Sequence, residues 1–469
     1  MRKLLLVGVS SLIIGAGAGA FAYASQSAYA PRAETFRMLE LFGDVLGIVE
    51  QQYVVEVDDK KLIEAALNGM LSSLDPHSNY LNAGDFKDLR ETARGAYGGL
   101  GLEVTTEDGA VKVITPMDDT PAGRAGVQAG DFITAINGQS VLGQSLSDAV
   151  KQMKGAPGTD VTITVVREGK DPFDLKLKRE IINVKSVKAR VEGGYGVIRI
   201  TNFNENTGRE TEEAIAKLKG DLPNMKGLVL DLRNNPGGIL DQSVAVADAF
   251  LDGGVVVEQR GRAKGDREVY TARSGDLIKG VPVVVLVNPG SASAAEIVAG
   301  ALQDRKRATI LGVTSFGKGS VQSVIPLRGG LDGALKLTTA RYYTPSGRSI
   351  QKTGIEPDLE VAQTKEQAER LADSKFQFSE ASFKNALNAD EGKTRRAPHQ
   401  PTEYPPASYD TKKGDFQLSR AFDLLAVGGD LAKIKKVPVE TAVASAEGLK
   451  DPATKAGVAP GGGEVKKQR

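Results

Sequence analysis

The 469-residue chain contains no cysteine and no tryptophan, and His77 and His399 are its only histidines. Without cysteine, a thiolate nucleophile, a Cys-rich structural zinc site, an iron–sulfur cluster and any disulfide are all excluded. A catalytic zinc held by two or three histidines has almost no ligands to draw on, so neither a metal nor a cofactor is expected. A Ser-His hydrolase would have to take its base from one of these two histidines. His77 reads as a turn or helix-end packing residue, and His399 lies in a Pro-rich stretch over residues 398–406. Surplus charge is missing as well, since 60 Lys and Arg stand against 59 Asp and Glu for a formal +1. A polyanion partner would normally show as clustered excess Lys and Arg, so no nucleic-acid partner is expected.

What is present is an ordinary globular composition, 41% hydrophobic and 25% charged, in a chain long enough for two or three folded units at roughly one per ~150 residues. Arg2 and Lys3 precede a run of apolar and small residues over 4–24 that closes on Ala22-Tyr23-Ala24, an A-x-A cleavage pattern. Residues 1–24 are therefore expected to be a signal peptide, or an inner-membrane anchor, because the run reaches the ~20 residues of a bilayer span. The body is expected to be periplasmic or otherwise extracytoplasmic.

Apolar residues recur at three and four over residues 34–56, and a second helix is expected over 61–74, so residues 34–92 form an N-terminal helical region. Residues 75–85 change to turn punctuation. Residues 93–182 carry short strand-like runs separated by turn signals such as Asn137-Gly138, with one helix over 146–153 opened by Ser145-x-x-Asp148. From Tyr195 strands and helices alternate, and the Val-rich strands are continuously apolar, the pattern of a largely parallel sheet covered on both faces. This α/β unit spans residues 186–362. Residues 363–469 loosen into a linker and a disordered tail, interrupted by an apolar island around residues 416–425 that can dock as a short helix.

Three loops of the α/β unit can carry chemistry. Asn288-Pro289-Gly290-Ser291-Ala292-Ser293 leads from a buried-type strand into a helix, where free N–H groups and the positive dipole end favour developing negative charge. Ser293-x-x-Glu296 reads equally well as a capping box. Gly317-Lys318-Gly319 places a lysine between glycines, which is either a solvated loop residue or a base made neutral by burial. Asp231-Leu232-Arg233-Asn234-Asn235-Pro236-Gly237-Gly238 can turn N–H groups toward an anion, or be a tight turn with an Asp231/Arg233 ion pair. All three fall at strand C-terminal ends, where α/β sheets gather their sites.

Taken with Leu74-Asp75-Pro76-His77, Gly98-Gly99-Leu100-Gly101-Leu102, Pro121-Ala122-x-x-Ala125-Gly126, Lys318-Gly319-x-x-Gln322 and Gly354-Ile355-Glu356-Pro357-Asp358, these loops make the sequence resemble the C-terminal processing peptidases, PDZ-containing Ser/Lys proteases of the tail-specific type. The resemblance covers roughly residues 34–361. It implies a multi-domain α/β architecture: an N-terminal helical segment, a β-rich PDZ domain, a crotonase-like α/β serine protease domain and a partly disordered C-terminal tail. It implies Ser293 as nucleophile, Lys318 as general base and Gln322 as the residue that orients the lysine. The oxyanion hole would use N–H groups of Gly237, Gly238 and Ala294. The substrates implied are proteins with free C-termini, whose terminal carboxylate would be held by Gly98, Gly99, Leu100, Gly101 and Leu102 while the peptide adds as a strand beside the 146–153 helix. An adaptor protein or a second copy of the chain is an expected partner of the helical segments. A noncatalytic PDZ scaffold and a crotonase-like acyl-transfer enzyme are the alternatives; the presence of all three dyad-associated residues speaks against the first and the fused PDZ domain against the second.

Overall fold

A computed structural model describes residues 33–107, 109–117, 119–373, 378–389, 395–412 and 414–437. The expected signal or anchor and nearly all of the expected disordered tail lie outside the described residues. The described chain divides after Met70 into two units.

In the first unit the three-and-four apolar spacing forms α1 (Ala33–Gln52), which leaves Phe36, Leu39, Phe42 and Val45 exposed. Helix α2 (Asp59–Ser72) follows, with an acidic residue in its first turn. Among the described residues no helix is long and apolar enough to cross a membrane.

The second unit opens with a difference from the expected turn. The turn-rich residues 75–85 contain a short strand, β1 (Asn79–Leu81), and lead into α3 (Ala83–Arg94), capped by Asn82 at its start and by Gly95 with a left-handed φ of 67° at its end. The β-rich domain follows. Strands β2 (Ala96–Gly99), β3 (Leu102–Glu107), β4 (Ala110–Pro116), β5 (Phe132–Ile136), β6 (Gln139–Ser140), β7 (Asp160–Val166), β8 (Phe173–Lys178) and β9 (Glu180–Asn183) are joined by a short α4 (Pro121–Arg124) and by α5 (Leu146–Met153). The main sheet runs β3-β4-β5-β7-β8, with β3 at one edge, while β2 and β9 pair to tie the domain's two ends together. Alternate residues Val161, Ile163 and Val165 of β7 point into a core shared with Val111, Val113, Ile133, Ala149 and Met153.

The α/β domain is built on a six-stranded sheet, β10 (Val187–Glu192), β11 (Tyr195–Ile200), β12 (Leu228–Asp231), β15 (Val283–Val287), β16 (Ala308–Gly312) and β19 (Leu359–Glu360), parallel except for β10. Its continuous apolar strands feed two cores. Leu228, Leu230, Val283, Val285 and Val287 face the side of α6 (Thr207–Asp221), α7 (Leu240–Asp248) and α8 (Ala294–Asp304). Val229, Val284 and Leu286 face Phe416, Leu418, Ala421, Leu424 and Leu425. Because side chains alternate across a strand, an uninterrupted apolar run requires a cover on each face, and the C-terminal island supplies the second one. The intervening α9 (Lys365–Ala372) and the covering α10 (Phe416–Ala426) are both capped, by Thr364 and Asp415.

A second, antiparallel sheet is the larger surprise. It joins β1, β13 (Gly254–Gly261), β14 (Arg267–Ala272), β17 (Ser320–Pro326) and β18 (Ala334–Tyr343). The expected strand-helix alternation fails after β16, which runs through an extended loop straight into β17 and the β17–β18 hairpin. The hairpin places residues 313–319 against the C-terminal end of the parallel sheet.

Candidate active site

Ser293 sits between β15 and α8, 9% exposed, with φ 55° and ψ −115°. A positive φ in a residue with a Cβ costs of order 1–3 kcal/mol and persists only where the surroundings over-determine it. Those surroundings are visible. Ser291 Oγ donates to the Leu232 carbonyl at 2.8 Å, and Ala292 N–H donates to the Asn235 carbonyl at 2.9 Å, so the serine segment is laced to the loop after β12. A Cβ on Gly237 would lie 2.8 Å from Ser293 Cβ and 3.0 Å from Ala294 N, and one on Gly238 would lie 2.1 Å from the Phe203 carbonyl oxygen. Glycine is required at 237 to bring the turn this close to the serine and at 238 to let it pass the Phe203 backbone.

The Gly237 N–H donates to Asn235 Oδ1 at 2.9 Å. The N–H groups of Gly238 and Ala294 have no acceptor among the described residues. The loop is held from below by Arg233, whose guanidinium bridges Asp231 at 2.8 Å and Asp415, the cap of α10, at 2.7 Å. Burial pushes Asp231 up, but Arg233 and Arg199 outweigh it and hold the carboxyl below its usual range.

Lys318 lies half-buried in the loop between β16 and β17, and its Nζ donates to Gln322 Oε1. Burial, reinforced by Lys336, pulls the ammonium down to about 8 against the opposing carboxylates Glu380, Glu296 and Asp75. Serine and lysine segments meet on one side chain. Glu296, fully buried, accepts the N–H of Ser293 and the N–H of Lys318 on the same oxygen, each at 2.9 Å. Its other oxygen takes the Ser315 hydroxyl at 2.5 Å and the Gly317 N–H at 2.7 Å. Burial raises this carboxyl, and the four donors oppose the rise by favouring the anion. The capping-box spacing flags Glu296 as a helix cap, but its brace to the lysine loop is not legible in the chain, because residues 315–318 reach it only through the fold.

Apart from Gln322, the residues that hold this loop carry no sequence signal of their role. Gln322 Nε2 donates to Ser320 Oγ at 3.0 Å and Thr338 Oγ1 at 3.1 Å. His77 pairs through Nε2 with Glu380 at 2.8 Å, and Glu380 in turn accepts from Gln351, whose Oε1 holds the Gly319 N–H at 2.9 Å. His399 is elsewhere, against Glu360. Among the described residues no group of three or more His, Asp or Glu is disposed to hold a metal.

In the β-rich domain Leu100 is buried, and the carbonyls of Leu100 and Gly101 accept from Ala122 and Met117 at 3.0 and 2.9 Å. Gly101 has φ 75°, and a Cβ there would strike Thr120 at 2.3 Å. With both carbonyls turned inward, the Leu100 and Gly101 N–H groups have no acceptor among the described residues. Gly98 and Gly99 lie in β2, where the Gly98 carbonyl receives Gly155 N–H at 3.0 Å just beyond α5. Leu102 and Val104 of the edge strand β3 and Leu146 and Val150 of α5 are partly buried against the domain core.

The fold and these two loops define a PDZ-containing peptidase. Residues 194–361 match Peptidase family S41, residues 112–167 a PDZ domain and residues 19–84 the Activating protease CtpB N-terminal domain. The chain is 50% identical over 398 residues to a carboxy-terminal-processing protease of Bartonella bacilliformis, covering 83% of this chain and 89% of the relative. It is 39% identical over 329 residues to a probable CtpA-like serine protease of Staphylococcus aureus, covering 69% of this chain and 65% of that one. Among solved structures, the photosystem II D1 C-terminal processing protease aligns at 32% identity over 68% of this chain and 92% of its own, with a TM-score of 0.41. The chain belongs to the carboxy-terminal-processing proteases of peptidase family S41.

Proposed function

We propose that this protease captures the free C-terminus of an exported protein in its PDZ domain and cleaves near that tail with a Ser293/Lys318 dyad. The observation that carries the reading is the lysine. Lys318 is withdrawn from water, pulled down to about 8, held by Gln322, and fixed through Glu296 to the backbone of Ser293. Ser293 Oγ attacks the scissile carbonyl carbon while neutral Lys318 takes the hydroxyl proton. The N–H groups of Gly238 and Ala294 face the developing oxyanion. The lysine then passes its proton to the leaving amine, and water, deprotonated by the same amine, releases the acyl chain. No histidine is needed, consistent with His77 and His399 being paired to glutamates. The test is mass spectrometry of products from a tailed model protein, wild type beside Ser293→Ala, where cleavage near the tail by the wild type alone is expected.

The sign of the pH dependence follows from the base. A protonated lysine cannot accept the hydroxyl proton, so kcat/KM should fall about tenfold per pH unit below an acid limb near 8 and level off above it. At pH 7 a lysine of pKa about 8 is neutral in about a tenth of molecules, roughly a few hundred times the fraction of an unperturbed lysine. A limb near 10 would show that Lys318 keeps its ordinary basicity.

Tail capture rests on the two free N–H groups of Leu100 and Gly101, beside the open edge of β3 and the helix α5. A terminal carboxylate accepts charge-assisted hydrogen bonds there that a neutral amide cannot match. Amidating the substrate C-terminus should weaken capture by about 1–3 kcal/mol, read as a lower kcat/KM well below saturation. Equal rates for the free and amidated substrates would remove this loop from tail recognition.

A further inference from the structure

Gln322 can orient Lys318 only if its amide oxygen, not its nitrogen, faces the amine. An amide can flip, and the hydroxyls that receive its Nε2, Ser320 Oγ at 3.0 Å and Thr338 Oγ1 at 3.1 Å, can donate as readily as accept. Something must therefore fix the hydroxyl direction. Thr338 has a single hydroxyl proton, and it goes to Asp75 Oδ1 at 3.0 Å. An ionised carboxylate only accepts, so toward Gln322 the Thr338 oxygen is left as an acceptor, and the amide must present N–H to it and C=O to Lys318.

Asp75 is itself rigidly held. It is 4% exposed and accepts the N–H groups of His77 and Ser78 at 2.9 and 3.0 Å and the Ser78 hydroxyl at 2.7 Å. Ser78 Oγ accepts the Thr338 N–H at 3.0 Å, and β1 pairs with β18 just beyond, so the 75–78 turn is bolted to the strand that carries Thr338.

We propose that Asp75, acting through Thr338, is a positioning residue that fixes the amide of Gln322 with its oxygen toward Lys318 and so aims the general base at Ser293. The inference rests on the Ser293/Lys318 reading and adds a three-member chain behind it, Asp75 to Thr338 to Gln322. The turn thereby acquires a catalytic purpose that its short sequence does not advertise.

The chain has a signature that a purely structural turn lacks. Lys318 faces Lys336, which disfavours its charge, and Glu380, Glu296 and Asp75, which favour it, while His77 beside Asp75 is paired to Glu380. Asp75→Asn keeps an oxygen for Thr338 but deletes one of the three carboxylates, so the acid limb of kcat/KM should move to lower pH by about half a unit or more, with kcat little changed. Thr338→Val keeps the β-branched shape in β18 but leaves the amide free to flip. It should lower kcat about tenfold or more at unchanged KM and also move the limb down, since the ammonium loses its fixed acceptor. Thr338→Ser should restore both, and Thr339→Val, on the exposed face of the same strand, should behave as wild type.

The experiment is the pH profile of kcat and KM for the full chain and these four variants on one tailed substrate, with circular dichroism as the folding check and Ser293→Ala alongside. Folded Thr338→Val with the wild-type profile overturns the inference, as does a loss of kcat in Thr338→Val without movement of the limb. If Thr338→Val does not fold, Thr338→Ala, which removes the same hydroxyl with a smaller side chain, decides by the same two readouts. Activity surviving in Ser293→Ala would instead overturn the underlying dyad, a separate result.

Discussion

Ser293→Ala and Lys318→Ala are each expected to lower kcat by about 10⁴-fold or more while leaving a folded protein, because in the proposed mechanism the two groups act as one unit. The double variant should be no worse than the single ones. Neither side chain is central to a core: Ser293 belongs to a loop braced by its backbone, and Lys318 is half-buried at the cost of its own desolvation. The Ser293 backbone adds a second readout. Glycine already outranks alanine at a helix N-cap, and here φ is 55°, so glycine alone also relieves the strain. Ser293→Gly should therefore be more stable than Ser293→Ala by more than the roughly 1 kcal/mol of an unstrained N-cap, a gap that a denaturant titration of the two inactive variants would reveal. Normal proteolysis by folded Lys318→Ala would remove lysine from the mechanism and leave the serine without a base.

The second large effect is expected at Glu296, although it touches no substrate. Its four partners, Ser293 N–H, Lys318 N–H, Gly317 N–H and the Ser315 hydroxyl, are all donors in the described geometry. Ser315 Oγ, which already receives the Ile355 N–H at 2.7 Å, has a second lone pair to offer, but the Gly317 N–H on the same side is a fixed donor. Glu296→Gln preserves shape but replaces one accepting oxygen with an NH₂ that must face donors whichever way it is turned. A buried unsatisfied donor costs about 1–3 kcal/mol, and at least one such clash in either orientation should lower stability by roughly that amount. Because the same oxygen sets the Ser293 and Lys318 backbones, kcat should also fall about 10²-fold or more. The measurement pairs the denaturant midpoint with kcat at saturating substrate. Wild-type values for both would mean that the two loops are held in register by something other than this carboxylate.

Much of this molecule is legible in the chain. The absence of cysteine and the scarcity of histidine remove most hydrolytic mechanisms on composition alone. The apolar periodicity marks α1, α5 and the buried strands β12 and β15, and small residues after β15 mark a strand-to-helix junction fit for a nucleophile. These signals are local: a helix or a covered strand writes its environment into consecutive residues. The island at residues 416–425 is legible for the same reason, and the two-sided burial of β12 and β15 gives it a face to cover.

The tertiary structure decided everything that depends on residues far apart in sequence. Strand β13 pairs with β18 through Glu258 and Tyr343, and β1 pairs with β18 through Asn79 and Lys336; neither partner's own pattern contains the other, so nothing in the chain announces the antiparallel sheet. The same separation hides the site's chemistry. Gly317-Lys318-Gly319 reads as a solvated loop until burial, Lys336 and the Gln322 amide act on the ammonium together, and Ser293-Glu296 reads as a cap until residues 315–318 are folded onto it. Sequence alone determined which residue types were available for catalysis and which segments were buried. Which of those residues was withdrawn from water, which braced two loops and which turned the chain was set by desolvation and hydrogen-bond direction, and both exist only once distant segments share one interior.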